Sequence, residues 1–143
     1  MFTYPDLFKG AIAESGNHES RNYEDDWGER YIGSETKNEK GVSNCEQQTS
    51  YRYAKNLKGK LLLVHGGMDD NVPPSNSYLV ADALIKANKD YDLLILPHAR
   101  HDYGVDRAYM LRKRWDYFVQ YFLNATPPKE YQIKITPDLR ITE

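Results

Sequence analysis

Cysteine is almost missing from this sequence, with Cys45 the only one among 143 residues. No internal disulfide can form, and cysteine usage says nothing about a redox compartment. Long apolar runs are missing too; none approaches the roughly 18 residues that a membrane span needs. The opening "MFTYPDLFKG" has no basic segment leading into an apolar one, so no signal peptide is expected there. Charge of one sign is not in excess, with 19 basic residues against 21 acidic ones. That balance speaks against a nucleic-acid footprint or a polybasic membrane patch. Repeats and low-complexity segments are likewise absent.

What is present is a chain of one-domain length, enough to bury a real core. Twelve tyrosines dominate its aromatics, and such amphipathic rings suit half-buried surfaces and pocket walls. "GAIA", Gly10 to Ala13, predicts a buried strand, because small side chains let helices approach closely. Tyr23, Trp27 and Tyr31, spaced by four, share one face if that stretch is helical. "GVSNCEQQTSYRYAKNL" has a weak helical period and predicts a short helix ending near Ala54 or Asn56. Four aliphatics, Leu61 to Val64, read as a parallel strand buried on both faces. Pro73-Pro74-Ser75 marks a helix start, with proline in the first turn and Ser75 as the cap. Leu79, Val80, Ala83, Leu84 and Ala87 form the stripe of that helix, and Asp92 to Leu96 makes a third strand. Arg107 to about Asn124 is the strongest helix, stopped by Pro127-Pro128. Its face of Leu111, Trp115, Phe118, Val119 and Phe122 is expected in the core. Residues 129–143 alternate weakly and read as an extended tail of the single domain, 1–143. Buried strands alternating with amphipathic helices predict an α/β fold, a three-layer arrangement with a parallel sheet covered on both faces.

In such a sheet, reactive groups gather at the carboxyl ends of the strands. Here those ends carry "ESGNH", "HGGMDDN" and "PHARHDYG". An Asp after one strand and a His after the next is the latter half of a Ser…Asp…His order. Asp69 and His101 are 32 residues apart, which leaves room for one helix and one strand and brings both loops to one edge. An aspartate that accepts a proton from imidazole fixes its tautomer and stabilises the imidazolium formed during catalysis. The plain alternative is that Asp69 and Asp70 only shape a turn, since Gly, Asp, Asn and Pro are the commonest turn residues. His65 and His98 read as half-buried strand-end residues. A metal site would combine His65, His98, His101 and Asp69. None of these shows the helical His spacing or CxxC pattern that marks such sites, so no metal or cofactor is expected. Tyr23, Trp27 and Tyr31 fit either core packing or a pocket wall.

"LLLVHGGMDDNVPP", "LPHARHDYG" and "RKRWDYFVQYFL" together resemble the C-terminal part of the α/β-hydrolase domain of prolyl oligopeptidase-family serine peptidases. The dipeptidyl-peptidase IV branch is the nearest in kind. "YPDLFKGAIAESGNHESRNYEDDWGERYIG" is similar to the segment that follows the nucleophile in that branch. The resemblance implies a partial α/β-hydrolase fold whose Asp69 is the triad acid and His101 the general base. It implies that Asn71 bonds a substrate carbonyl, while Val72, Tyr23 and Trp27 line the pocket for the residue before the scissile bond. Asp70 is then a loop hydrogen-bonder. Asp102 departs from the pattern, because many members carry glycine directly after the histidine and here Gly104 comes two residues later.

The larger departure is the nucleophile, which the family carries on G-x-S-x-G between a strand and a helix. None of Ser15, Ser20, Ser34, Ser43, Ser50, Ser75 and Ser77 stands in that motif; Ser15 in "AESGN" comes nearest. The chain is therefore expected to be a C-terminal portion that lacks the nucleophile elbow, and to be inactive alone. Its implied partners are a peptide substrate, the preceding part of the catalytic domain and a propeller domain, with no nucleic acid. The isolated chain is expected to self-associate through the edge at Gly10 to Ala13. The resemblance is compatible with a periplasmic, cell-envelope or secreted setting. Two rival readings are an ester hydrolase on the same fold and a non-catalytic binding module built on a truncated one.

Overall fold

The aliphatic run Leu61 to Val64 becomes the middle of a central strand in the computed structural model, which describes residues 1–134. Three parallel strands lie in the order β1 (Gly10–Glu14), β2 (Lys60–Gly66), β3 (Asp92–Leu96). Register pairs Ala11 with Leu61, Ala13 with Leu63, Leu63 with Leu93 and His65 with Ile95. Side chains alternate across β2, so its two faces feed two separate cores. Leu61 and Leu63 pack with Ala54, Leu57, Val80, Ala81 and Leu84. On the other face Leu62 and Val64 pack with Leu96, Ala99, Tyr103, Met110 and Tyr117. Each fully buried aliphatic of this kind is worth roughly 1.5–3 kcal/mol.

The first core is roofed by helix α3 (Ser75–Lys86) and by a 3₁₀ turn, Tyr51–Asn56. The second is roofed by helix α4 (Arg107–Phe122). Helices α1 (Asp25–Ile32) and α2 (Asn44–Gln48) lie in the long connection from β1 to β2. The expected layers and parallel sheet are present, and β1 and β3 are its edges among the described residues.

Several local expectations need correction. The helix expected up to Ala54 or Asn56 is broken into α2 and the 3₁₀ turn. Ser43 caps α2 by accepting from the Glu46 N–H at 3.2 Å, and Thr49 ends it with its hydroxyl on the Glu46 carbonyl at 2.9 Å. Ser75 does not cap α3, because its hydroxyl accepts instead from Asn22 Nδ2 at 2.6 Å. In the α3 stripe, Leu79 faces outward while Asn76, Ser77 and Ala81 are buried beside Val80 and Leu84. Asn76 earns that place by accepting from the backbone N–H groups of His18 and Glu19, at 3.0 and 2.8 Å.

The largest correction concerns α4. Its expected core face is only partly covered, with Leu111 and Val119 half-buried and Trp115, Phe118 and Phe122 exposed by 52%, 45% and 43%. Met110 and Tyr117 meet the sheet instead, flanked by Tyr121. These three recur at helical spacing and give α4 a second, tyrosine-built apolar face. Arg114, on the same line, fixes the rotation by donating from Nε and Nη2 to both Glu14 carboxylate oxygens, at 2.8 and 2.6 Å. The described part of the expected tail packs back toward α4, where Arg112 donates to the Tyr131 carbonyl at 3.2 Å. The rest of the tail, 135–143, lies outside the described residues.

Candidate active site

β2 ends at Gly66 and is followed by Gly67 because nothing larger fits at either position. A Cβ at Gly66 would lie 2.5 Å from the carbonyl oxygens of Ala99 and Arg100. One at Gly67 would lie 2.6 Å from the Pro97 carbonyl oxygen. With no side chain in the way, the Gly67 N–H reaches the Leu96 carbonyl at 2.8 Å and the Met68 N–H the Ala99 carbonyl at 3.0 Å. The loop after β2 is thereby fastened to the loop after β3. Asp69 arrives on the first loop and His101 on the second.

The two meet. His101 Nδ1 donates to Asp69 Oδ2 at 2.9 Å. Asp69 Oδ1 accepts from the backbone N–H groups of Asn71 and Val72, each at 3.0 Å. The Asp69 side chain is wholly buried, whereas that of His101 is 44% exposed. Burial pushes the Asp69 carboxyl up. The His101 bond, the two backbone N–H groups and the nearby imidazole charge outweigh it and hold the group below its ordinary range. Asp70, one residue on, has a different fate: it forms a surface pair with Arg100 at 2.6 Å.

The loop carrying His101 is held from below. Ser15 and Tyr103 both take left-handed backbone, with φ of 44° and 65°. Ser15 Oγ lies 3.3 Å from the His101 carbonyl oxygen and 3.0 Å from the Tyr103 hydroxyl. A carbonyl can only accept, so Ser15 donates to His101 and receives the Tyr103 hydrogen. This serine is thus committed to the backbone of the His101 loop and not to its imidazole. Asp102, which departs from the family pattern, accepts from the Gly104 N–H at 3.1 Å and leaves the His101 contact to Asp69 intact.

Tyr23 and Asn71 also come together, the tyrosine hydroxyl donating to Asn71 Oδ1 at 2.9 Å. The helical ladder starts later than its spacing suggested. Helix α1 begins at Asp25, yet Tyr23 still meets Trp27 edge-on at 5.7 Å and Trp27 meets Tyr31 at 4.7 Å. Trp27 is exposed, and Val72 is buried and reaches the site through its backbone N–H. His98 is exposed and joins none of these contacts. His65 is the residue that sequence reasoning undervalued. It is wholly buried, and its Nε2 lies 3.2 Å from Asp69 Oδ2. A histidine four residues before Asp69, at the end of a strand buried on both faces, was the available signal.

A parallel sheet roofed on both faces, with an imidazole and a carboxylate joined at its strand ends, defines part of an α/β-hydrolase fold. The comparisons with known proteins narrow the class. The chain belongs to the prolyl oligopeptidase family, whose family model matches residues 1–125. Mouse dipeptidyl peptidase 8 is 32% identical over 103 residues, covering 72% of this chain and 12% of that protein. A crystal structure of a Bacteroides ovatus protein, provisionally named a dipeptidyl aminopeptidase IV, superposes with a TM-score of 0.76 at 30% identity. It covers 85% of this chain and 17% of that one. Porphyromonas gingivalis dipeptidyl peptidase 4 gives a TM-score of 0.68 at 30% identity, covering 80% and 16%. The chain therefore spans a small part of the length of the relatives it matches.

Proposed function

We propose that this chain supplies the acid and the base of a Ser-Asp-His triad to a dipeptidyl-peptidase-like serine peptidase. The observation that carries the reading is the 2.9 Å bond from His101 Nδ1 to a buried Asp69. An imidazole bound in this way keeps Nε2 free of hydrogen and able to take a proton. Nε2 of His101 meets no partner among the described residues, which suits a group awaiting a nucleophile. That nucleophile comes from residues outside this chain. It attacks the scissile carbonyl as Nε2 removes its proton, and the imidazolium formed is steadied by Asp69. The same proton then passes to the leaving amine, and water repeats the cycle on the acyl-enzyme.

Peptides suit the site better than simple esters. Asn71 Oδ1 is engaged by Tyr23, so the amide presents Nδ2 as a donor for a substrate carbonyl. Beside it, the Tyr23 and Trp27 rings offer a wall for a proline or alanine side chain. The test is a matched panel of Gly-Pro and Ala-Pro amides and simple esters on the full-length protein and its His101→Gln variant. Amide cleavage that disappears in the variant is expected. Amide cleavage that survives in it, or preference for esters, overturns the reading.

A further inference from the structure

The Asp69–His101 pair has a third member. His65 sits at the carboxyl end of β2 with no exposed side-chain surface. Its Nε2 lies 2.9 Å from the Val72 carbonyl oxygen and 3.2 Å from Asp69 Oδ2. Its Nδ1 lies 2.7 Å from Ser77 Oγ, on the first turn of α3. A carbonyl oxygen only accepts, so Nε2 carries a hydrogen and donates it to Val72, while Asp69 Oδ2 lies beside that N–H as a close polar contact. Ser77 then donates its hydroxyl hydrogen to Nδ1, and the ring is held between two elements in one tautomer. Asp69 Oδ2 thus bonds the exposed His101 on one side and meets the polar edge of the buried His65 ring on the other.

We propose that His65 is a positioning residue for the triad acid, resting on the proposed function above. A carboxylate pinned only by the His101 bond and two backbone N–H groups on its other oxygen can still tilt about its terminal torsion, which is broad. The His65 ring edge, 3.2 Å away, limits that tilt at the oxygen His101 uses. Its N–H dipole beside a buried carboxylate also favours the anion when His101 becomes charged. Because the His65 hydrogen is held by the Val72 carbonyl and the Val72 N–H by Asp69 Oδ1, the acid and the loop that carries Asn71 are set by one ring. His65 touches neither substrate nor nucleophile and acts through Asp69.

The test compares His65→Leu, His65→Gln and Ser77→Ala in the full-length protein, with active sites counted by a serine-directed phosphonate. Leucine fills the space without a donor, while the glutamine amide can still donate toward the Val72 carbonyl and accept from Ser77. Losing the bond that holds the Val72 carbonyl predicts a fall in kcat per active site of about tenfold for His65→Leu, with KM nearly unchanged. His65→Gln should recover most of that loss. A merely structural role would lower thermal stability and the number of active sites but leave kcat per site alone. That result, or equal kcat for leucine and glutamine, overturns the proposal. Should His65→Leu fail to fold, Ser77→Ala decides, since it frees the tautomer with little volume change. A lower kcat at unchanged KM supports the proposal, and wild-type kcat overturns it. Activity retained in His101→Gln would instead remove the triad reading itself, so the two failures are distinguishable.

Discussion

Replacing Asp69 by asparagine tests the site with the smallest change of shape. The side-chain amide has two settings. In one, its oxygen keeps the two 3.0 Å bonds from the Asn71 and Val72 N–H groups, and its NH₂ faces His101 Nδ1 and His65 Nε2. In the other, the NH₂ points at two backbone donors and leaves both unsatisfied, at about 1–3 kcal/mol each. The first setting wins. It opposes an N–H to the His101 Nδ1–H, and the half-exposed His101 escapes by moving its hydrogen to Nε2. His65 cannot follow, because its Nε2–H is held by the Val72 carbonyl.

An imidazole with hydrogen on Nε2 has no lone pair for a nucleophile's proton. The expected loss in kcat is on the order of 10⁴, the scale of a wrong tautomer in a serine-peptidase triad, which is about 5.5 kcal/mol of barrier. KM should change little, since Asp69 does not touch substrate. Stability should move by less than about 2 kcal/mol, because the lost charge-assisted bond is offset by no longer burying a charge. Steady-state cleavage of a Gly-Pro chromogenic amide by the full-length protein gives kcat and KM, and thermal unfolding gives the stability. A kcat within tenfold of wild type would refute the acid assignment. Asp70→Asn is the control, expected to leave kcat unchanged because its partner Arg100 is a surface side chain. A large loss there would move the acid to Asp70.

A polypeptide limited to these 143 residues should not cleave Gly-Pro or Ala-Pro chromogenic amides; turnover abolished by a serine-directed phosphonate would contradict that. The same polypeptide should self-associate, because the β1 edge is uncharged between Gly10 and Ala13 and Trp115, Phe118 and Phe122 are exposed. A monodisperse monomer by light scattering at high concentration would argue the other way. Gly66→Ala should destabilise by about 2 kcal/mol or more, since the new methyl meets two backbone carbonyls; an unchanged denaturation midpoint would show that the loops are not locked together. Burial, with repulsion from His65 added, depresses the His18 pKa below its ordinary 6.5. The stability His18 contributes is therefore complete above that value and falls as pH drops, when the unfolded chain takes the proton first. Wild type should lose stability more steeply than His18→Gln between about pH 7.5 and pH 5.5, and parallel slopes would dismiss the effect.

How much of this was legible in the sequence depended on the length scale of each signal. Leu61 to Val64 could be placed because a strand buried on both faces needs an unbroken aliphatic run, and Gly66-Gly67 bounds this one at a length too short for a helix. Asp69 and His101 were legible together, since topology brings consecutive strand ends to one edge whatever the packing details. The rotation of α4 was not. A helix with apolar residues on more than one face leaves the choice of face to its neighbours, and the choice here was made by Glu14, a hundred residues from Arg114. Ser75 failed as a cap for the same kind of reason, because Asn22 offered it a tertiary hydrogen bond that local sequence does not reveal.

His65 shows where the limit lies within the site itself. Its burial followed from its place on β2, but its role depends on three partners at different sequence separations, Asp69, Val72 and Ser77. Each alone is an ordinary contact for a buried histidine. Only the convergence of the Val72 carbonyl, which can accept but never donate, with Ser77 on the opposite ring nitrogen fixes where the hydrogen sits. That hydrogen is what separates a histidine filling space from one that fastens the loop holding the carboxylate. The polar sites most hidden from sequence reading are therefore those in which hydrogen-bond directionality, and not residue type, carries the meaning.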